Sequence, residues 1–357
     1  MSQTDLERRM SERGVSKTVY SIFYPETRRV MAKVFGDPKL LDAHEGAYTK
    51  RQDTMHEPFF RAFEAWSEPV LDFDGGEFPE QYPASGSSEA IREMIAKQGS
   101  TQRSEGVEPS IHIFKGEYEG YKAYAEAHKI RVVKHERDAF DRTLKQEFSP
   151  GDRFYISQPS GIDGNIWEGY DEFMRWSLSE IPDLKVMLDL AYLGTVPHQK
   201  SRINARYENI GAVFFSTSKS FGTYYDRVGG MFSREPVSGL WGNRWFKSLP
   251  ALRLGTEFMR RYKPGELPEK YLPLRQQVLK NLREKFGETV EGSDVFMIAT
   301  QSKGAEDGEL KRGLYREDLI RYCLTEGIDK AIKEAAEKAA AEENKRKYTQ
   351  DNDKFYK

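Results

Sequence analysis

A single cysteine, Cys323, stands among the 357 residues, so no disulfide can form within the chain and no cluster of thiolates can hold a metal. The six histidines are scattered, without the HExxH or HxxxH spacing that sets two imidazoles on one helix face, and a metal is not expected. No run approaches the ~18 apolar residues of a membrane span. The polar start MSQTDLERRMSERG lacks the apolar stretch of a signal peptide, which predicts an uncleaved, cytoplasmic protein. Charge of one sign is missing too: 55 Lys and Arg against 57 Asp and Glu leave a net −2, and nothing at that level asks for nucleic acid or an anionic membrane as partner. GxGxxG after a strand and GxxxxGK[ST] are both absent, which leaves dinucleotide and P-loop readings little support.

What is present is a chain long enough, with 38% hydrophobic residues, for one large core and a smaller companion. Residues 1–55 read as a charged, amphipathic arm, followed by the aromatic stretch EPFFRAFEAWSEPVLDF, suited equally to a core or to a dimer surface. Between about 80 and 250, short apolar runs alternate with helical patterns. The runs are SIHIF (110–114), KIRVVK (129–134), RFYIS (153–157), LKVMLDLAY (184–192) and AVFFSTS (212–218). That alternation predicts a mostly parallel sheet with crossover helices. Beyond 252, the polar helix LPLRQQVLKNLREKFG, strand candidates DVFMIAT (294–300) and DLIRYCLT, and a final Ala-, Glu- and Lys-rich helix predict an α+β cap whose last ten or so residues fray. The expected division is an arm at 1–55, a large domain at 56–251 and a small domain at 252–357.

Chemistry concentrates in STSKSFGTYYDRVGG, directly after the buried run AVFF. A lysine at the end of a parallel strand sits where open α/β sheets bind ligands, and loss of water around Lys219 would favour the neutral, nucleophilic amine. Ser216 and Ser218 flank it and Arg227 follows eight residues on. Hydroxyls and a guanidinium are the donors that a phosphate monoester dianion calls for. Taken alone, the segment could equally be a surface turn with an ordinary lysine. Upstream, VMLDLAY ends a buried run with Asp189 and Tyr192, a carboxylate able to keep a ring nitrogen protonated or simply to cap a helix. Gly86, Ser87 and Ser88 precede a helix whose first turn holds Glu89, which is either an anion site or a generic N-cap. Tyr118, in GEYEGY, could stack on a planar ligand or merely pack.

Their order gives the set meaning. Across roughly residues 80–330 the chain resembles fold-type I pyridoxal phosphate (PLP) enzymes of aminotransferase class I/II, the aspartate-aminotransferase superfamily. The resemblance implies a three-layer α/β/α large domain, with a smaller α+β domain built from the C-terminal part and the N-terminal arm. It further implies a phosphate held by Gly86, Ser87, Ser88, Ser216, Ser218 and Arg227, Tyr118 stacked on the ring, Asp189 at the ring nitrogen and Tyr192 at the phenolic oxygen. Lys219 would carry the cofactor as a Schiff base. DLIRYCLTEGID is similar to the strand whose arginine grips the substrate carboxylate, which makes Arg321 the candidate, with Arg312 and Arg316 as rivals.

One motif departs from the family. Where its members carry Asn-Pro-x-Gly, with the Asn bonded to the phenolic oxygen, this chain has QPSGIDGN. Gly161 takes the Asn position, and Ser160 or Asn165 could substitute only if the loop were rearranged. The resemblance thus implies an aminotransferase working on an amino acid and a 2-oxo acid by ping-pong exchange. The departure at Gly161 keeps a lyase, decarboxylase or oxidase of the same fold as the alternative. A non-catalytic regulator with a retained pocket, or an α/β binding protein without cofactor, are readings from a different class. Members of the family are homodimers in which a neighbouring tyrosine reaches the phosphate; Tyr48 and Tyr82 are candidates. Trp241, Arg244 and Trp245 are candidates for side-chain specificity.

Overall fold

The computed structural model describes residues 19–40, 54–137, 147–302 and 319–355, with side chains as far as Glu342. The strands, in chain order, are β1 (Leu71–Asp72), β2 (Glu80–Ser85), β3 (Ser110–Phe114), β4 (Arg131–His135), β5 (Arg153–Ser157), β6 (Lys185–Leu190), β7 (Ile203–Asn204), β8 (Ile210–Ser216), β9 (Val228–Ser233), β10 (Val290–Gly292), β11 (Ile298–Ser302) and β12 (Leu319–Cys323). A seven-stranded sheet runs β2-β9-β8-β6-β5-β3-β4. Its pairs are parallel from β8 to β4, and β9 lies antiparallel to both β8 and β2. A three-stranded antiparallel sheet, β10-β11-β12, forms the smaller unit.

Both faces of the large sheet are buried, which explains the near-continuous apolar runs. Within them the alternation of period two survives. Tyr155, Met187 and Phe214 pack into a core with Ile91, Met94 and Ile95 of the helix Ser87–Ser104. Their neighbours Phe154, Ile156, Leu188 and Phe215 face the opposite core. There the helix Glu57–Ser67 lays Phe59, Phe60 and Phe63 against the sheet, with Phe63 stacked on Phe215 at 3.9 Å between centroids. The aromatic stretch is therefore core within one chain, and each such side chain stabilises it by roughly 2–3 kcal/mol.

Several elements differ from expectation. The apolar run 294–300 is a strand only from Ile298 onward; Val295, Phe296 and Met297 are buried in a turn. The last helix, Thr325–Phe355, continues through the tail expected to fray. Two strands of the large sheet, β2 and β9, were not anticipated. Leu249–Arg261 is one continuous helix, packed against the helices Pro25–Phe35 and Glu57–Ser67. The segment after Val19 is tied to the C-terminal part: Thr325 Oγ1 donates to the Tyr20 carbonyl at 2.8 Å and the Phe23 amide to Asp329 Oδ1 at 3.2 Å.

Candidate active site

Parallel strands β5, β6 and β8 end at one edge of the sheet, which places Ser157, Asp189 (the last residue but one of β6) and Ser216 there. Because β9 runs the other way, its beginning lies at that same edge, and the register sets Val228 opposite Ser85. Strand polarity thus brings Arg227 and the start of the helix Ser87–Ser104 to Ser216. A cavity of about 240 Å³ opens there, and Ser87, Ser88, Tyr118, Asp189, Tyr192, Ser216, Ser218, Lys219, Arg227 and Arg321 are among the residues that line it. These side chains, singled out from the sequence as cofactor or substrate contacts, face this one space. Gly86 lies behind it with φ +74°, and a Cβ there would stand 2.9 Å from Arg227 Nη2, so glycine alone permits the approach.

At one end of the cavity the donors form a cradle. Ser218 donates its amide to Ser216 Oγ at 3.1 Å, and the two hydroxyls lie 2.9 Å apart. Arg227 Nη2 donates to the Ser85 carbonyl at 2.9 Å, which fixes the guanidinium beside the amides that open the helix Ser87–Ser104. Hydroxyls, a fork of N–H groups and the positive end of a helix dipole suit a phosphate dianion.

Lys219 sits on the single turn Ser218–Phe221 after β8. Its Nζ donates to the Val19 carbonyl. Loss of water pulls this amine down to about 8; nearby Cys323 opposes the shift, and Arg321 and Arg227 add to it. Asp189 is buried at the end of β6. Its Oδ2 accepts from the Tyr121 hydroxyl and its Oδ1 from the Ala191 amide, both at 3.0 Å. Burial still pushes its carboxyl up to about 6. Tyr118 is 38% exposed at the mouth of the cavity, its ring 5.5 Å from that of Tyr121. Arg321, only 3% exposed on β12, donates to the Gly161 carbonyl.

No family model matches the chain, and no curated protein matches it in sequence. Solved structures do match in fold. A probable N-succinyldiaminopimelate aminotransferase from Thermus thermophilus is 17% identical, over 92% of this chain and 97% of its own, with a TM-score of 0.62. The N-succinyldiaminopimelate aminotransferase of Mycobacterium tuberculosis is 15% identical over 92% and 95%, at 0.63. The L-threonine-O-3-phosphate decarboxylase of Porphyromonas gingivalis is 14% identical over 90% and 98%, at 0.57. The fold is that of the fold-type I aminotransferases.

Within this aminotransferase fold the remaining candidates separate. Tyr82 is 1% exposed, donates to Glu80 Oε2 at 2.6 Å and accepts from the Val237 amide, so it is engaged within its own chain. Tyr48, Arg312 and Arg316 lie outside the described residues. Trp241 and Trp245 contact each other at 4.3 Å between centroids and Arg244 pairs with Glu80, away from the cavity lining. Ser160 and Asn165 do not line the cavity either: Ser160 Oγ accepts from Arg137 Nη1 and Asn165 Oδ1 from the Asp294 amide.

Sequence reasoning missed Tyr121, Ser157 and Glu117. Glu117 is 5% exposed, and its two oxygens accept from the Ser157 amide at 3.0 Å and the Ser157 hydroxyl at 2.6 Å. Burial pushes its carboxyl up to about 7. Tyr121 stood three residues from Tyr118 in GEYEGY, a helical spacing that could have drawn it in. Nothing local marks Glu117 as buried.

Proposed function

We propose that this protein is a PLP-dependent enzyme acting on amino acids, an aminotransferase that exchanges the amino group with a 2-oxo acid. The observation that carries this reading is the convergence on one cavity of a deprotonation-prone lysine, a buried carboxylate and a cradle of phosphate donors. The residues fit the cofactor. Ser87, Ser88, Ser216, Ser218 and Arg227, with the space left by Gly86, would hold its phosphate. Asp189 would hold a proton on its ring nitrogen, Tyr192 would donate to its phenolic oxygen, and Tyr118 would cover its ring. PLP, when bound, supplies an electron-poor ring that lets the α-carbon of an amino acid give up a proton.

Lys219 serves two roles in this scheme. Its amine, brought down to about 8 by desolvation, would be the nucleophile that attaches the cofactor. With a substrate amine in its place, Lys219 Nζ would be the base positioned to take the proton from the substrate α-carbon and to give it back. Arg321 would fork onto the substrate carboxylate and orient the C–H bond. A homodimer is part of the proposal: Tyr225, Trp241 and Phe246 are 79%, 58% and 84% exposed, and light scattering would measure the mass.

The test is direct. Wild-type protein loaded with PLP and dialysed keeps a yellow colour that borohydride fixes to the chain and, given an amino acid, forms pyridoxamine phosphate, whereas Lys219→Ala does neither. Equal colour and turnover in the variant would end the proposal. The absence of a side chain at Gly161 favours the second reading, a lyase, decarboxylase or oxidase. Ammonia, carbon dioxide or peroxide in place of pyridoxamine phosphate would identify it.

A further inference from the structure

Gly161 leaves a gap that its neighbours are arranged to fill. A Cβ built on it would lie 3.3 Å from Ser157 Oγ, 3.7 Å from Glu117 Oε2 and 3.8 Å from Tyr192 Cε2. Ser157, Gly161 and Tyr192 all line the cavity, and Glu117 lies directly behind Ser157. Ser157 Oγ already accepts the Gly161 amide at 2.7 Å. A serine hydroxyl has one proton to give and two lone pairs to fill. With Glu117 ionised, that proton goes to Glu117 Oε2, and Ser157 has nothing to offer the cavity. With Glu117 protonated, the carboxyl O–H can donate to Ser157 Oγ. Both lone pairs are then filled, and the serine proton must turn elsewhere; the open side is the cavity.

We infer that Glu117 and Ser157 together replace the donor that Gly161 lacks, with Ser157 as a hydrogen-bond donor to the bound cofactor's phenolic oxygen that is switched on when Glu117 takes up one proton from solvent. This rests on the PLP reading above. Ser157 would be the contacting group and Glu117 a positioning residue. The groups facing Glu117 are the amide and hydroxyl of Ser157 and Tyr118's backbone N–H, the Asp189 carboxyl at the end of β6, and the Tyr121 phenol. Arg321 reaches the Gly161 carbonyl from β12. Burial, and the charge of Asp189 with it, push Glu117 up to about 7 against the pull of those amides and the serine hydroxyl. The switch would thus turn over within the range in which an enzyme works.

A donor at the phenolic oxygen stabilises its negative charge and loosens its hold on the proton at the neighbouring lysine nitrogen. That proton's departure changes the visible spectrum of bound PLP, a readout independent of turnover. Glu117→Gln locks the donor on: the Ser157 amide keeps the carbonyl oxygen, and the amide nitrogen donates to Ser157 Oγ at every pH. Ser157→Ala locks it off. Titrating the absorbance of the full chain loaded with PLP should place the Ser157→Ala midpoint about one pH unit above wild type and the Glu117→Gln midpoint below it. Adding Gly161→Asn to Ser157→Ala should bring the midpoint back down, and that pair decides the matter should Glu117→Gln fail to fold. Shifts of both single variants in the same direction, or of neither, overturn the inference while a yellow wild type leaves the PLP reading standing. Wild-type protein that is colourless after loading with PLP and dialysis removes both.

Discussion

The Tyr121 hydroxyl donates to Asp189 Oδ2 across 3.0 Å with both groups fully buried. This bond favours the ionised carboxylate in a place where burial favours the neutral acid. In the proposed site Asp189 would hold a ring nitrogen protonated only as an anion, so Tyr121 would support cofactor binding without lining the cavity. Tyr121→Phe keeps the ring that packs against Tyr118 and removes the donor. Its dissociation constant for PLP, measured by fluorescence, should rise roughly tenfold or more, as expected for a bond to a charged group. A change within twofold would mean that the Ala191 amide suffices.

Lys219 gives a pH dependence of defined sign. Its amine is held at about 8, so the rate of PLP attachment should climb about tenfold per pH unit below that value and level off above it. The same shift enters stability. Between about 8 and the ordinary lysine value of 10.5, the unfolded chain binds more protons at this position than the folded one, so the contribution to stability rises with pH across that window. Replacing Lys219 by Met should flatten the rise in denaturant titrations of the cofactor-free protein. An unaltered slope would place the amine in water.

Much of this was legible in the sequence, for reasons that differ by residue. SIHIF and RFYIS coincide with β3 and β5 because strands buried on both faces must be apolar throughout. Strands β2 and β9 were not legible: Pro83 interrupts the first and Gly229 and Gly230 the second. An edge strand tolerates proline, and Gly229 is needed where a Cβ would meet Gly86 Cα at 2.7 Å. The run 294–300 shows the converse, since apolar residues report burial and not backbone conformation. At the candidate site, the residues that carry a motif share one cavity, whereas Glu117 and Ser157 carry none. A carboxyl becomes a buried, proton-accepting group only through the tertiary contacts around it.

Gly86 is held at φ 74° and ψ 176°, a region closed to residues with a Cβ. Gly86→Ala should lose about 1–3 kcal/mol of folding stability from backbone strain and, by displacing Arg227, should weaken binding of inorganic phosphate as well as PLP. Calorimetry with phosphate and a thermal melt measure the two effects separately. Full stability with intact phosphate binding would show that the turn relaxes without disturbing the guanidinium.

Arg321 is buried on β12, paired in register with Thr300 of β11 and donating to the Gly161 carbonyl, so its guanidinium is set at a fixed place on the cavity wall. A planar fork held there suits a carboxylate in two-point contact, which a lysine ammonium cannot reproduce. Arg321→Lys keeps the charge and should raise KM for the amino acid by roughly tenfold to a hundredfold, with the visible spectrum of bound PLP unchanged. Steady-state kinetics beside that spectrum separate substrate binding from cofactor binding. A KM within twofold of wild type would remove Arg321 from the substrate contacts and leave it a structural part of the cavity wall, bonded to the Gly161 carbonyl.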